Sequence, residues 1–276
     1  MLNKFFIAEH VKKALHEDIG FGDITTDYLT NDTDIMTCEL NSRTDGVFCG
    51  RDVFETVFKV LSENVELEFY KKDGDLIKAG DRIAAVKGPA KYILMGERTA
   101  LNYVQRMSGI ATETNKYVNE LKGYPAKIAD TRKTTPLFRA FEKYSVKVGG
   151  GALHRFNLSD CAMIKDNHIK YAGSLEKAVK MLKENISHAH KIEVECDTVE
   201  QVKEAVKSGA DIIMLDNMSL SQMKECVEYI NKRAIVEASG NVNLKTVREI
   251  ASTGVDIISS SAIVAKAPTL DLGLDS

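Results

Sequence analysis

Short apolar runs recur through the second half of the chain, with a helical segment between each and the next. They are Lys127–Asp130, Ala162–Ile164, Lys191–Cys196, Asp211–Leu215, Ala234–Ala238 and Asp256–Ile258. They are rich in Ile and Val and read as apolar on both sides of the alternation, the pattern of buried parallel strands. The segments between them carry helix punctuation. Ser174 precedes Leu175–Ile186, whose Leu175, Ala178, Val179 and Leu182 share one face. Thr198-Val-Glu-Gln201 and Ser219-Leu-Ser-Gln222 have the spacing of a capping box, and Asn243 is placed to cap the next helix. Gly209 and Gly254 stand where a helix ends in a left-handed residue. Repeated strand–helix units of this length predict parallel pairing through right-handed crossovers.

The residues just after each run decide between a closed barrel and an open sheet. They are Thr131-Arg132-Lys133, Lys165-Asp166-Asn167, Glu195 at its strand's end, Asp216-Asn217, Ser239-Gly240-Asn241 and Ser259-Ser260-Ser261. In a barrel all of them converge on the C-terminal rim, where barrel active sites lie. An open sheet would focus ligands at one switch point and leave several of these groups remote. A barrel is therefore expected.

The first half reads differently. Phe6–Glu17 predicts a short amphipathic helix, Asp18–Thr26 is turn-rich, Ile35–Ser42 alternates as a strand, Asp52–Leu61 is helical and Val65–Phe69 is a strand. Asp73-Gly74-Asp75 and Ala79-Gly80-Asp81 mark turns around a further short strand, which predicts a small antiparallel sheet. A long helical stretch, Ile93–Leu121 with a break at Ser108-Gly109, leads into the barrel.

Composition narrows the partners. A net charge of −3 over 276 residues gives no global pull towards nucleic acid or an anionic membrane. No apolar run approaches the ~20 residues that cross a bilayer, and Met1–His10 lacks the order of a signal peptide. The expected compartment is the cytoplasm. The five cysteines, an odd number without paired metal spacing, read as reduced thiols.

An anionic ligand must then be drawn by a local cluster of bases, and between Asp130 and Lys170 there is one. Arg132, Lys133, Arg139, Lys143, Lys147, His154, Arg155, Lys165 and His168 all fall there. Lys143 and Lys147 read as a solvated helix face, and Arg139 stays open. Arg132, Lys133 and Lys165 stand at strand ends, where an inward cation needs an anion to offset its desolvation. Gly149-Gly150-Gly151 lets the backbone approach another segment or a ligand, and His154-Arg155 follows closely, favouring a functional reading. Arginine holds a carboxylate through two parallel hydrogen bonds, so Arg132 and Arg155 suit a planar diacid. Glu195 and Asp216 supply the opposite charge, suited to a sugar hydroxyl or to Mg²⁺ completed by phosphate oxygens. Ser239-Gly240-Asn241 and Ser259-Ser260-Ser261 have the character of a phosphate cradle after the last barrel strands. His188 and His190 read as surface residues.

The wording of several segments resembles the quinolinate phosphoribosyltransferase (decarboxylating nicotinate-nucleotide pyrophosphorylase) family. The segments are Thr131-Arg-Lys-Thr-Thr-Pro136, Glu142-Lys143-Tyr144, Val148-Gly-Gly-Gly151, His154-Arg155 and Ile164-Lys-Asp-Asn-His168. The likeness also runs through Glu17–Thr26, Glu97–Asn102, Ser108–Ala111, Glu193-Val-Glu195, Leu215-Asp-Asn217 and Glu237–Gly240, nearly the whole chain. It implies an α/β protein with an N-terminal α/β sandwich, expected over 1–108, and an incomplete barrel of six or seven strands over 109–266. The tail 267–276 is expected to pack on the sandwich. The implied activity moves phosphoribosyl from phosphoribosyl pyrophosphate to quinolinate with loss of CO2, giving nicotinate mononucleotide and pyrophosphate. The resemblance further implies that Arg132, His154, Arg155 and Lys165 hold quinolinate, with Thr131 also binding substrate. Lys133, Glu195 and Asp216 would act in catalysis and meet the sugar diphosphate and its Mg²⁺. Ser239, Gly240, Asn241, Ser260, Ser261 and Ala262 would hold phosphate. Arg98 would reach the site of a neighbouring subunit in a homodimer or hexamer.

The chain departs from that family in places. Leu137 stands where a glycine is usual, Leu153 where a polar residue precedes the His-Arg pair, and Ile263-Val264-Ala265 where a Thr-His-Ser run is usual. Two rivals follow: a paralogue associated with molybdate uptake, and a barrel that binds a sugar phosphate without turnover.

Overall fold

The computed structural model describes residues 2–31 and 33–276. In chain order the first elements are α1 (Lys4–Ile19), α2 (Thr26–Leu29), β1 (Ile35–Ser42), β2 (Gly46–Val47), α3 (Arg51–Leu61), β3 (Glu66–Phe69), β4 (Leu76–Ile77), β5 (Arg82–Pro89) and α4 (Ala90–Glu120). There follow β6 (Lys127–Ala129), α5 (Arg139–Val148), β7 (Ala162–Ile164), α6 (Asp166–Ala172), α7 (Leu175–Asn185), β8 (Ile192–Cys196) and α8 (Val199–Ser208). The chain ends with β9 (Ile212–Asp216), α9 (Leu220–Ile230), β10 (Ile235–Ser239), α10 (Val247–Ala251), β11 (Ile257–Ser259), α11 (Ala262–Ala265) and β12 (Leu272–Asp275). Two compact units share these elements. One holds residues up to Asn115, Pro136–Gly150 and Ala267–Ser276, and the other Lys116–Thr135 and Gly151–Lys266.

In the first unit a four-stranded antiparallel sheet runs β12-β1-β5-β3. Ile7, Val11 and Leu15 of α1, Val53, Phe54, Val57 and Phe58 of α3, and Ile93, Val104 and Met107 of α4 join Leu40, Ile83 and Val86 of the sheet in one core. Two expectations fail here for tertiary reasons. α4 is continuous through Ser108-Gly109, because Gly109 serves packing: a Cβ there would lie 1.9 Å from the Pro268 carbonyl oxygen of the C-terminal segment. Lys143 is 2% exposed, so it is no solvated face, whereas Lys147 is exposed. The helix that carries it, α5, sends Phe141 into the first unit's core and ties Glu142 to Arg106 at 2.9 Å.

The second unit is a six-stranded parallel sheet in the order β6-β11-β10-β9-β8-β7. Its first strand, β6, pairs with its last, β11, so the order is that of a ring with one open seam between β6 and β7. Ala152 pairs with Ala129 on the seam side of β6. This is an incomplete α/β barrel. The caps lie where the spacing predicts. Ser174 Oγ accepts the Lys177 N–H, Thr198 with Gln201 and Ser219 with Gln222 form capping boxes, and Gly209 and Gly254 have φ of 71° and 92°. Asn243 Oδ1 accepts the Lys245 N–H in a turn, and α10 begins only at Val247.

The strands are not apolar on both sides. Val194, Cys196, Ile213, Leu215, Ala238 and Ile258 are fully buried, but the residues alternating with them are Glu193, Glu195, Met214, Asp216, Glu237 and Ser239. The barrel's inner face is therefore chemically active.

Candidate active site

At the C-terminal strand ends a hollow of about 450 Å³ is lined by Thr131, Arg132, Lys133, His154, Arg155, Met163, Lys165, Glu195, Met214, Asp216, Ser239 and Ser259. A second hollow of about 390 Å³ shares Thr131, Lys133, Asp216, Ser239 and Ser259 with it. It continues through Gly240, Asn241, Ser260, Ser261, Ala262 and Lys266. Of the site residues expected from sequence, Arg98 alone lies in neither hollow. It is exposed on α4 of the first unit.

The strand register explains the convergence. Ser239 is the Cα partner of Asp216, Glu195 of Met214, and Met163 of Glu193, and side chains two residues apart on each strand point to the same side. Lys165, Glu195, Asp216, Ser239 and Ser259 stand at the strand tips and line the first hollow. Lys165 Nζ donates to Glu195 Oε2. His168, one of the basic group, accepts the Lys165 backbone N–H on Nδ1 at 2.9 Å, so it braces the loop. Thr131 Oγ1 accepts the Lys133 N–H at 3.0 Å and shapes the first loop. Asp216 accepts from Asn217 Nδ2 at 2.9 Å. The turn after β10 requires its glycine. Gly240 has φ 97°, and a Cβ there would fall 2.1 Å from Asn217 Oδ1. Asn217 and Asn241 take left-handed φ of 53°, which Asn tolerates.

The glycine run before His154 serves packing. A Cβ on Gly149 would lie 2.4 Å from the Ala111 carbonyl oxygen. Beyond it, buried Asp130 accepts the His154 N–H on Oδ1 at 2.8 Å. Arg155 donates to the Cys161 carbonyl at 2.8 Å and to Met163 Sδ at 3.5 Å.

His154 lines the hollow with its ring, but both nitrogens face protein. Nδ1 accepts the Arg155 N–H at 2.7 Å, and Nε2 lies 3.3 Å from Glu193 and 3.4 Å from Glu237. The His154 ring thus faces this buried pair while lining the hollow. Burial opposes charge on His154, yet the two acids facing Nε2 carry its pKa up to about 10. Burial also raises Glu193. Both shifts describe one extra proton retained by the cluster.

Sequence reading gave no role to Asp130, Glu193, Glu237 or Lys266. For the two glutamates a signal existed: each stands two residues before a rim group on its strand and so shares its side. The thiols offer no nucleophile. All five cysteines are unbridged, and burial pushes Cys161 up to about 11 and Cys196 to about 12.

An α/β barrel whose strand tips set arginines and lysines against two carboxylates, beside a serine-lined hollow, is an enzyme for joining anionic substrates. Models of the quinolinate phosphoribosyl transferase N-terminal and C-terminal domains match residues 23–108 and 110–275. The chain belongs to that family. It is 40% identical over 275 residues to a probable nicotinate-nucleotide pyrophosphorylase [carboxylating] of Bacillus subtilis, covering all of this chain and 92% of that one. The crystal structure of NadC from Streptococcus pyogenes superposes with a TM-score of 0.97 at 38% identity, covering 100% of this chain and 98% of that one. Nicotinate-nucleotide pyrophosphorylase from Ehrlichia chaffeensis gives 0.92 at 42% identity, with 97% of each chain covered. Among the described residues no helix is long and apolar enough to cross a membrane.

Proposed function

We propose that the protein transfers phosphoribosyl from phosphoribosyl pyrophosphate to quinolinate with decarboxylation, yielding nicotinate mononucleotide, pyrophosphate and CO2 for NAD synthesis. The observation that carries this reading is one hollow in which Arg132, Arg155 and Lys165 meet Glu195 and Asp216, opening onto the serine-lined hollow. Arg132, Arg155 and Lys165 hold the two carboxylates of quinolinate, and Ser239–Asn241 with Ser260–Ala262 hold phosphate. As pyrophosphate leaves, positive charge grows on the ribose, and Glu195 and Asp216 stabilise it. Lys133, which lines both hollows, offsets charge on the diphosphate. The ring nitrogen bonds to the sugar carbon and becomes cationic. The adjacent carboxylate then loses CO2 because the ring accepts its electron pair, and the ring carbon takes a proton. Fixing both anions in register removes much of the bimolecular entropy cost. No protein nucleophile is needed.

Mg²⁺ fits this site. Asp216 lines both hollows, and one or two carboxylates with phosphate oxygens make a usual magnesium shell. Asp216 and, once released from Lys165, Glu195 would hold it directly or through water, and it would neutralise the diphosphate. We also place the enzyme in the cytoplasm as a dimer or hexamer, with exposed Arg98 of one subunit completing the site of another. Incubation with quinolinate, phosphoribosyl pyrophosphate and Mg²⁺ tests the reading by release of CO2 and formation of the mononucleotide. Turnover of a different aromatic acid alone would favour the molybdate-associated paralogue. Sugar-phosphate binding without any turnover would favour the non-catalytic barrel.

A further inference from the structure

Below the rim lie two acids that the reaction does not use. Glu193 and Glu237 stand two residues before Glu195 on β8 and Ser239 on β10, at 0% and 4% exposure. Neither oxygen of Glu193, nor Oε1 of Glu237, has a hydrogen-bond partner among the described residues. His154 Nε2 sits between them, at 3.3 and 3.4 Å. Three such ligand atoms resemble part of a metal shell, but the opposite ring nitrogen excludes this. Nδ1 accepts the Arg155 N–H, so Nε2 carries the ring's proton and has no lone pair to give.

The fold does not need charge here. The Cα partner of Glu193 on β7 is Met163, and that of Glu237 on β9 is Met214, so uncharged side chains of similar length already stand beside both acids. Burying two acids costs desolvation that uncharged side chains would avoid. What they achieve is orientation. They fix one end of the imidazole, whose other end fixes the Arg155 backbone, while Asp130 holds the His154 N–H and the Cys161 carbonyl holds the guanidinium.

We infer that Asp130, Glu193 and Glu237 are positioning residues, which through His154 aim Arg155 at a substrate carboxylate. The inference rests on the proposed function and adds to it a supporting tier beneath the dicarboxylate pocket. A purely structural role predicts that neutralising these acids changes stability alone. A positioning role predicts selective damage to the dicarboxylate.

The test uses the full chain with Mg²⁺ and the variants Glu193→Gln, Glu193→Met and Glu237→Gln, measuring melting temperature and KM for each substrate. We expect melting points equal to wild type or higher by about 3 °C. KM for quinolinate should rise roughly tenfold, with KM for phosphoribosyl pyrophosphate within about twofold of wild type. Wild-type KM for quinolinate in all three variants would overturn the inference, as would an equal rise for both substrates or a fall in melting point that accounts for the loss. Wild-type chain without quinolinate turnover would instead sink the functional reading, and this inference with it.

Discussion

Lys165 Nζ and Glu195 Oε2 are hydrogen-bonded across the strand tips of β7 and β8. The lysine side chain remains 44% exposed and the glutamate 19%. The pair joins the cation and the acid that the proposed reaction uses separately, so substrate must exchange a protein carboxylate for its own. Lys165→Ala should therefore leave the fold intact and lower kcat/KM for quinolinate by about 100-fold or more. Arg155→Ala should do the same. Circular dichroism with steady-state kinetics checks both, and full activity in either variant would refute the site assignment.

Leu137 carries φ 63° and is 89% exposed. A left-handed leucine costs about 1–2 kcal/mol, and no burial of its side chain compensates. Glycine adopts this φ freely but loses more entropy on folding. Leu137→Gly should thus stabilise by a few tenths to about 1 kcal/mol, read as a rise in the urea midpoint at constant slope. A lower midpoint would mean that the exposed side chain makes a contact on which stability depends.

What the sequence made legible was local. Ser174, Thr198 and Ser219 cap the helices that their own spacing marks, and the basic and acidic strand tips meet because a parallel barrel directs all its strand ends to one rim. The rest depended on partners distant in sequence. Gly109 reads as a helix break because its reason is the Pro268 carbonyl, and Lys143 reads as solvated because α5 packs on a core built from segments distant in sequence. Glu193 and Glu237 escape a reading of β8 and β10 as apolar throughout, although the alternation puts these acids on the same side as Glu195 and Ser239.

The cluster around His154 also sets a pH dependence. An imidazole raised from 6.5 to about 10 and a raised Glu193 both mean that the folded chain binds more protons than the unfolded chain between these limits. Stability from that proton is complete below about 6.5 and lost as pH climbs through about 10. The melting temperature should fall from pH 7 to pH 10, and less steeply in Glu193→Gln. Parallel slopes in the two proteins would contradict the retained proton.

Arg98 lies in neither hollow of its own chain, and its exposure on α4 suits contact with a second copy. Arg98→Ala and Lys165→Ala homo-oligomers should each be nearly inactive. Mixing them should restore part of the activity, because a mixed dimer holds one site with both side chains intact. Absence of recovery in demonstrably mixed dimers would remove the role in trans.

Lys266 brings a cation to the serine-lined hollow just past Ile263-Val264-Ala265. Its side chain is solvent-exposed, so its attraction for phosphate is screened and modest. Lys266→Ala should raise KM for phosphoribosyl pyrophosphate about threefold at low ionic strength and leave KM for quinolinate unchanged. The difference should shrink as salt is added, since screening weakens the wild-type lysine and leaves the alanine variant with less to lose. A threefold effect that persists at high salt would instead mean that the lysine shapes the loop and does not hold the anion.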